Sequence, residues 1–262
     1  QSLRVDEIKL LRSTIAYKNF GQSYLVVTGE KGVGKTCLLN TVTSKTAGVI
    51  KLEATPGQRQ DTIIKNTLEE LAHPPFKFMN LLKSAAQVIF WHRLFTLGRS
   101  PIVVINAAER KVGQDYAGLT GAVRSLVDDY NLRVIVDGSP NSLDETFLRT
   151  TRQRVFEIKP MTKEMVWQIG QLQELFKYVK DAGLEDTVFA VLGGIPSRYE
   201  ELWDNSKIDL QAGRDAREVI GTHLCAAISA AIKLVEDSCG NDDPAFEKLL
   251  KLFQETSIFR KS

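Results

Sequence analysis

Thr28-Gly29-Glu30-Lys31-Gly32-Val33-Gly34-Lys35-Thr36 decides how this 262-residue chain is read. Glycine at positions 29 and 34 lets the backbone turn where a Cβ would block it, so successive N–H groups point inward. Such a pocket suits a polyphosphate. Lys35 adds a mobile cation for the outer phosphates, and the Thr36 hydroxyl suits Mg²⁺. The flanks agree with this reading. Tyr24-Leu25-Val26-Val27 has the character of a buried strand, and Cys37-Leu38-Leu39-Asn40-Thr41-Val42 that of a helix. A helix starting near Lys35 contributes the positive end of its dipole to an anion. Average residue usage gives the pattern a chance frequency on the order of 1% in a chain this long. The competing reading, a surface glycine turn, leaves the flanking strand and helix unexplained. The implied ligand is a nucleoside triphosphate, ATP or ADP with Mg²⁺, held by Gly29, Glu30, Lys31, Gly32, Val33, Gly34, Lys35, Thr36 and Cys37.

Bulk composition sets wider bounds. Hydrophobic residues make up 43% and charged residues 25%, the proportions of an ordinary globular domain. A formal net charge of +2 gives no global argument for a nucleic-acid or membrane partner. Cys37, Cys225 and Cys239 are odd in number and lack C-x-x-C spacing, which suits a reducing, intracellular compartment, cytoplasm or nucleus, and gives no metal site. His73, His92 and His223 are isolated, and structural or surface roles are expected for them. No apolar run reaches the ~18–20 residues of a membrane span. The chain opens at Gln1 without a methionine and stops soon after an amphipathic helix, so a longer protein is expected.

Hydrophobic periodicity lays out the rest. Val5, Ile8, Leu11 and Ile15 share a helical face. Strands are expected at 24–27, 49–54, 101–105, 132–136 and 155–158. Helices are expected at 58–71 and 78–97, with a further stripe through Tyr116, Leu119, Val123, Leu126 and Val127. Strands alternating with helices imply a parallel sheet covered on both faces. Lys159-Pro160 ends that alternation. Helices alone follow, at 162–182, 184–192, 197–205, 214–238 and 244–254, with Gly213 as a boundary residue. Two domains are expected: an α/β nucleotide-binding core over 1–160 with an N-terminal helix, and a smaller all-helical part over 161–262.

Hydrolysis needs more than a cradle. A second strand beside the phosphate-loop strand is expected to end in a carboxylate that orients Mg²⁺, with a glutamate aligning the attacking water. The strand with that character, 101–105, ends in Asn106-Ala107-Ala108-Glu109. Asn106 occupies the acidic position with a neutral amide, which implies a weaker Mg²⁺ site. Glu109 either reaches the water or is a solvated partner of Arg110 or Lys111. The fourth strand ends in Asp137-Gly138-Ser139-Pro140-Asn141. There Ser139 or Asn141 can meet a γ-phosphate and Asp137 can stand in for the missing carboxylate; alternatively the stretch is only a turn. Arg149, Arg152 and Arg154 precede the fifth strand, either as an arginine finger, with Arg152 the candidate, or as a solvated basic face. Pro196 and Arg198 open a later helix. A cation in a first turn is unfavourable, so an anion, such as a bound phosphate, is expected to compensate Arg198.

Taken together, the order of these motifs resembles the AAA+ superfamily, and within it the archaeal-ATPase-like branch related to STAND signalling ATPases. The stretches that carry the resemblance are 28–36, 101–105, 134–139, 156–162 and Gly193-Gly194-Ile195-Pro196, the last similar to that branch's G-G-x-P lid motif. The resemblance covers about 5–203. It implies a P-loop NTPase fold with a helical lid, phosphate and Mg²⁺ on Lys35 and Thr36, a sensor-1 role for Ser139 and a sensor-2 role for Arg198. Two departures stand out: Asn106 in place of an acid, and Arg198 two positions after the proline rather than one. A narrower similarity, in the texture of 28–50 and 90–148, is to the NTPase modules of crinkler-type and retrotransposon-hot-spot-type proteins. There such a module precedes an effector domain, which implies a host-cell nuclear location for a crinkler-like chain.

The leading expectation is an ATP-binding and ATP-hydrolysing switch, with nucleotide between core and lid, acting on an appended effector or within a homo-oligomer. The rival is a pseudo-ATPase that keeps nucleotide as a structural ligand and serves as an interaction scaffold; Asn106 supports it. A small-molecule kinase is disfavoured because no acceptor motif stands out. A GTPase is disfavoured because no N-K-x-D motif follows the fourth strand. Direct nucleic-acid binding is not expected, since Phe90, Trp91 and Phe95 fit a core.

Overall fold

The computed structural model describes residues 3–16, 23–44, 46, 48–72, 89, 101–107, 117–139 and 153–239, with side chains to 233 in the last stretch. Strand β1 (Tyr24–Thr28) is buried at every position. Its side chains divide by parity: Tyr24 and Val26 enter one apolar cluster, Leu25 and Val27 another. A strand covered on both faces needs this unbroken apolar run, because each face removes its residues from water. Strands β2 (Val49–Ala54), β3 (Ile102–Ala107), β4 (Arg133–Asp137) and β5 (Gln153–Glu157) complete a five-stranded sheet in the order β2-β3-β4-β1-β5. All four pairings are parallel.

Helices α1 (Val5–Ala16) and α2 (Lys35–Thr43) supply one cluster through Ile8, Leu11, Ile15, Leu38, Leu39 and Val42. Helices α3 (Gln60–Ala72) and α4 (Ala117–Asp128) supply the other through Ile63, Leu71, Leu119, Val123 and Leu126. Each fully buried leucine among these contributes roughly 2 kcal/mol by transfer from water. Val5, expected on the buried face of α1, is 46% exposed. It is the first residue of that helix, and neighbouring Arg4 is the buried one. Of the helix expected over 78–97, only Ile89 lies among the described residues; it is helical and buried.

Strand order corrects one expectation directly. The strand ending in Asn106 does not lie beside β1, because β4 is interposed. It also runs on through Asn106 and Ala107, whose register partners on β2 are Glu53 and Ala54. β5 starts at Gln153, two residues before its expected start, so Arg154 belongs to the strand. As the outer strand it leaves Val155 51% exposed.

Contacts divide the chain into two compact units, Gln1–Pro160 and Met161–Ser262. The second contains α5 (Lys163–Val166), a 3₁₀ turn (Gly170–Leu172), α6 (Gln173–Asp181), α7 (Glu185–Leu192), α8 (Pro196–Gln211) and α9 (Ala216–Cys239). The single helix expected over 162–182 is therefore broken. The side-chain amide of Gln173 donates to the carbonyls of Trp167 (2.9 Å) and Ile169 (3.2 Å), satisfying backbone that the break exposes. α8 runs six residues past its expected end at 205, with Tyr199, Leu202 and Leu210 in the unit's core. The helix expected over 244–254 lies outside the described residues.

The Gly193-Gly194 pair has a packing explanation. The Met161 amide donates to the Gly194 carbonyl at 2.7 Å, and a Cβ on Gly194 would collide with the Met161 backbone. Gly193 takes φ 64° at the end of α7, and its carbonyl accepts from the Tyr199 hydroxyl at 2.7 Å. Replacing Gly194 with alanine is expected to cost roughly 1–3 kcal/mol, the range of overpacking. Thermal unfolding of G194A against wild type checks this; an unchanged midpoint contradicts the tight contact.

Candidate functional site

The loop between β1 and α2 takes the shape its glycines permit. Gly29 has φ 148°, and a Cβ there would lie 2.5 Å from the Ile158 carbonyl oxygen, because the chain leaving β5 passes directly against it. That passage is fixed by the Ile158 amide donating to Thr28 at 2.8 Å. Gly34 has φ 98° and caps α2 without any side-chain hydrogen bond. No acidic side chain occupies the first turn of α2. The helix thus presents its positive end to the loop with no protein carboxylate in that turn to neutralise it. Lys35 Nζ curls over the loop and donates to the carbonyls of Gly29 (2.8 Å) and Glu30 (2.9 Å).

Arg4 braces the loop from behind. Its Nη2 donates to the Val33 carbonyl (3.2 Å) and the Lys159 carbonyl (2.9 Å), while Nη1 pairs with Glu7 (3.0 Å). One buried guanidinium therefore ties α1, the loop and the exit from β5. No sequence signal singles it out, since Glu7 is an ordinary i,i+3 pair and its other two partners are backbone carbonyls 29 and 155 residues away.

The other half of the site comes from β4. Parity places Val134 and Val136 against the α3–α4 cluster and Ile135 against the α1–α2 cluster. Asp137 therefore faces α2, and Thr36 Oγ1 donates to Asp137 Oδ2 at 2.9 Å. The Gly138 amide continues the β4–β1 pairing by donating to Val27 at 3.1 Å, which fixes the strand end. Asp137 is only 2% exposed, and its Oδ1 is buried without a hydrogen-bond partner among the described residues. Burial pushes the carboxyl above its ordinary pKa, while the Thr36 hydrogen bond and the Lys35 charge act in the opposite direction.

Asn106 and Glu53 stand in register with Asp137 across β3 and β2. The row borders an open cleft of about 290 Å³ that also takes in Thr36, Asn40, Lys51 and Val104. Across it Lys51 Nζ donates to Asn40 Oδ1 at 2.6 Å. Asn106 thus shares the cleft with Thr36, although the hydroxyl pairs with Asp137.

The remaining expected residues separate. Ser139 is half-buried just past β4. Glu109, Asn141, Arg149 and Arg152 lie outside the described residues. Glu30, Lys31 and Cys37 are exposed around the loop, whereas Val33 is fully buried against Leu38 and Leu39. Pro196 and Arg198 belong to the helical unit. There Arg198 Nη1 donates to the Leu192 carbonyl at 3.2 Å, at the carboxyl end of α7. That negative helix end offers the cation a partner within its own unit. Among the described residues no cluster of three His, Cys, Asp or Glu side chains could hold a metal. No described helix is long and apolar enough to cross a membrane.

The family model described as an AAA domain matches residues 18–147. This stretch is an AAA domain of the P-loop NTPase superfamily. The match spans the phosphate loop, Asn106, Asp137 and Ser139, and the parallel sheet with flanking helices is the P-loop NTPase α/β fold. No curated protein matches the chain. AAA domains as a class bind ATP or ADP with Mg²⁺. The residues here fit that cation: a hydroxyl and an unsatisfied carboxylate oxygen adjoin the loop, and Mg²⁺ favours one or two protein oxygens plus phosphates and water.

The raised carboxyl pKa has a stability consequence in the nucleotide-free protein. The folded state holds the Asp137 proton more tightly than the unfolded chain, so its contribution is most favourable below the unfolded value of about 3.9. It declines as pH rises through the folded value. Asp137→Asn is expected to lack this decline and to melt at or above wild type at pH 7 without ligand. Unfolding midpoints from pH 4 to 8 check the sign; a D137N protein that loses stability relative to wild type as pH rises contradicts it.

Proposed function

We propose that the core unit binds ATP with Mg²⁺ and hydrolyses it as a switch that acts on an appended effector domain or on an assembly of copies. The observation that carries this reading is the joining of an uncapped α2 N-terminus, the Lys35 ammonium and the Thr36–Asp137 pair at one sheet edge. The amides entering α2 meet the phosphate oxygens, and Lys35 exchanges loop carbonyls for the β- and γ-phosphates. Mg²⁺, when bound, neutralises charge that develops on those phosphates. Ser139, at the tip of β4, is placed in the scheme as the hydroxyl that reads the γ-phosphate. Arg4 holds the loop in the shape that receives the ligand. The STAND-like and crinkler-like affinities suggested by the sequence, with the intracellular location they imply, belong to this proposal.

One observation favours the scaffold alternative: the neutral amide of Asn106 stands at the penultimate position of β3. A nucleotide held without turnover would then serve assembly alone. Phosphate release separates the two readings. Wild type is expected to release phosphate from ATP with Mg²⁺, and Lys35→Ala to lose that activity. The same substitution should weaken ATP binding about 10–100-fold, the loss of one or two charge-assisted contacts. Equal phosphate release by both proteins removes the enzyme reading and leaves the scaffold.

A further inference from the structure

We propose that the acidic group of the cation site has moved one strand across the sheet: Asp137 on β4 supplies it, and Asn106 on β3 does not. The inference rests on the triphosphate reading above and adds to it the identity of the carboxylate. Three independent facts converge. The strand lying against β1 is β4, so its carboxyl end reaches the loop directly. Asp137 already holds the Thr36 hydroxyl at 2.9 Å, the same hydroxyl that a P-loop offers to Mg²⁺. Its second oxygen is buried with no donor among the described residues, which is costly for a carboxylate unless a ligand answers it.

The neutral residue at 106 then has a physical reason. Asn106 and Asp137 are register partners on adjacent strands, which places them about 4.8 Å apart. An aspartate at 106 would set two carboxylates side by side at a partly buried position, and one of them would be driven to stay protonated. Glu53, next in the row on β2, would make a third. The amide keeps a polar group in the cleft and leaves Asp137 the one carboxylate of the Asn106–Asp137 register pair.

The test reads cation-dependent binding rather than turnover. Calorimetry of ADP and of a non-hydrolysable ATP analogue, each with Mg²⁺ or with EDTA, gives the increment in affinity due to the cation. Wild type is expected to show an increment of at least tenfold. Asp137→Asn should reduce it to less than about twofold while binding in EDTA persists; Asn106→Ala should keep it within about threefold of wild type. As a second readout in the same proteins, the electron-spin-resonance spectrum of Mn²⁺ with ADP should show bound cation in wild type and N106A but only free cation in D137N. A D137N protein that keeps the full increment, or an N106A protein that loses it, overturns the assignment and leaves nucleotide binding standing. Absence of nucleotide binding by folded wild type, with or without cation, overturns both readings.

Discussion

A buried carboxylate needs something to answer it, and among the described residues Asp137 is hydrogen-bonded by one hydroxyl, with the Lys35 charge nearby. The Thr36–Asp137 contact joins the two segments from which the site is built, the start of α2 and the end of β4. Removing a carboxylate from water costs several kcal/mol, which a single neutral hydrogen bond of about 1 kcal/mol does not offset. The helix dipole and Lys35 attract negative charge, while burial disfavours the charged form of Asp137 unless positive charge stands beside it. In the proposed reading, a triphosphate with a divalent cation would satisfy both demands at once.

The rest of the core unit serves this juxtaposition. Parity along β1 and β4 sends Leu25, Val27 and Ile135 into the cluster under α2, which brings the helix close enough for Thr36 to reach Asp137. Arg4 fixes the loop's back to α1 and to the segment after β5, so the loop is held from both sides. Gly29 permits the close passage of Ile158. Each is a packing fact first, and together they determine where the loop's amides and Lys35 converge.

Local signals were legible in the sequence because they lie within one segment. The apolar run at β1, the glycine loop and the helix after it needed no long-range information. Strand order did need it: nothing in the run 101–107 says that another strand separates it from β1. The sequence therefore points to Asn106 for the acidic position, while the stretch from Asp137 is equally compatible with a simple turn. Once β4 is known to flank β1, the alternation of Val134, Ile135 and Val136 is enough to aim Asp137 at α2. Arg4 was invisible because backbone carbonyls far along the chain leave no trace in residue type. The contact of Arg198 with the end of α7 is not legible in the sequence, because it depends on how two helices turn about Gly193-Gly194. The break after Val166 was missed because apolar spacing continues across it.

The most direct measurement of the central claim is a crystal structure with a non-hydrolysable ATP analogue and Mn²⁺, the cation located by its anomalous signal. The account predicts the β- and γ-phosphates over the Gly29–Thr36 loop and the cation bordering Thr36 and Asp137. Triphosphate bound elsewhere, or a cation beside Asn106 with Asp137 still paired only to Thr36, would contradict it.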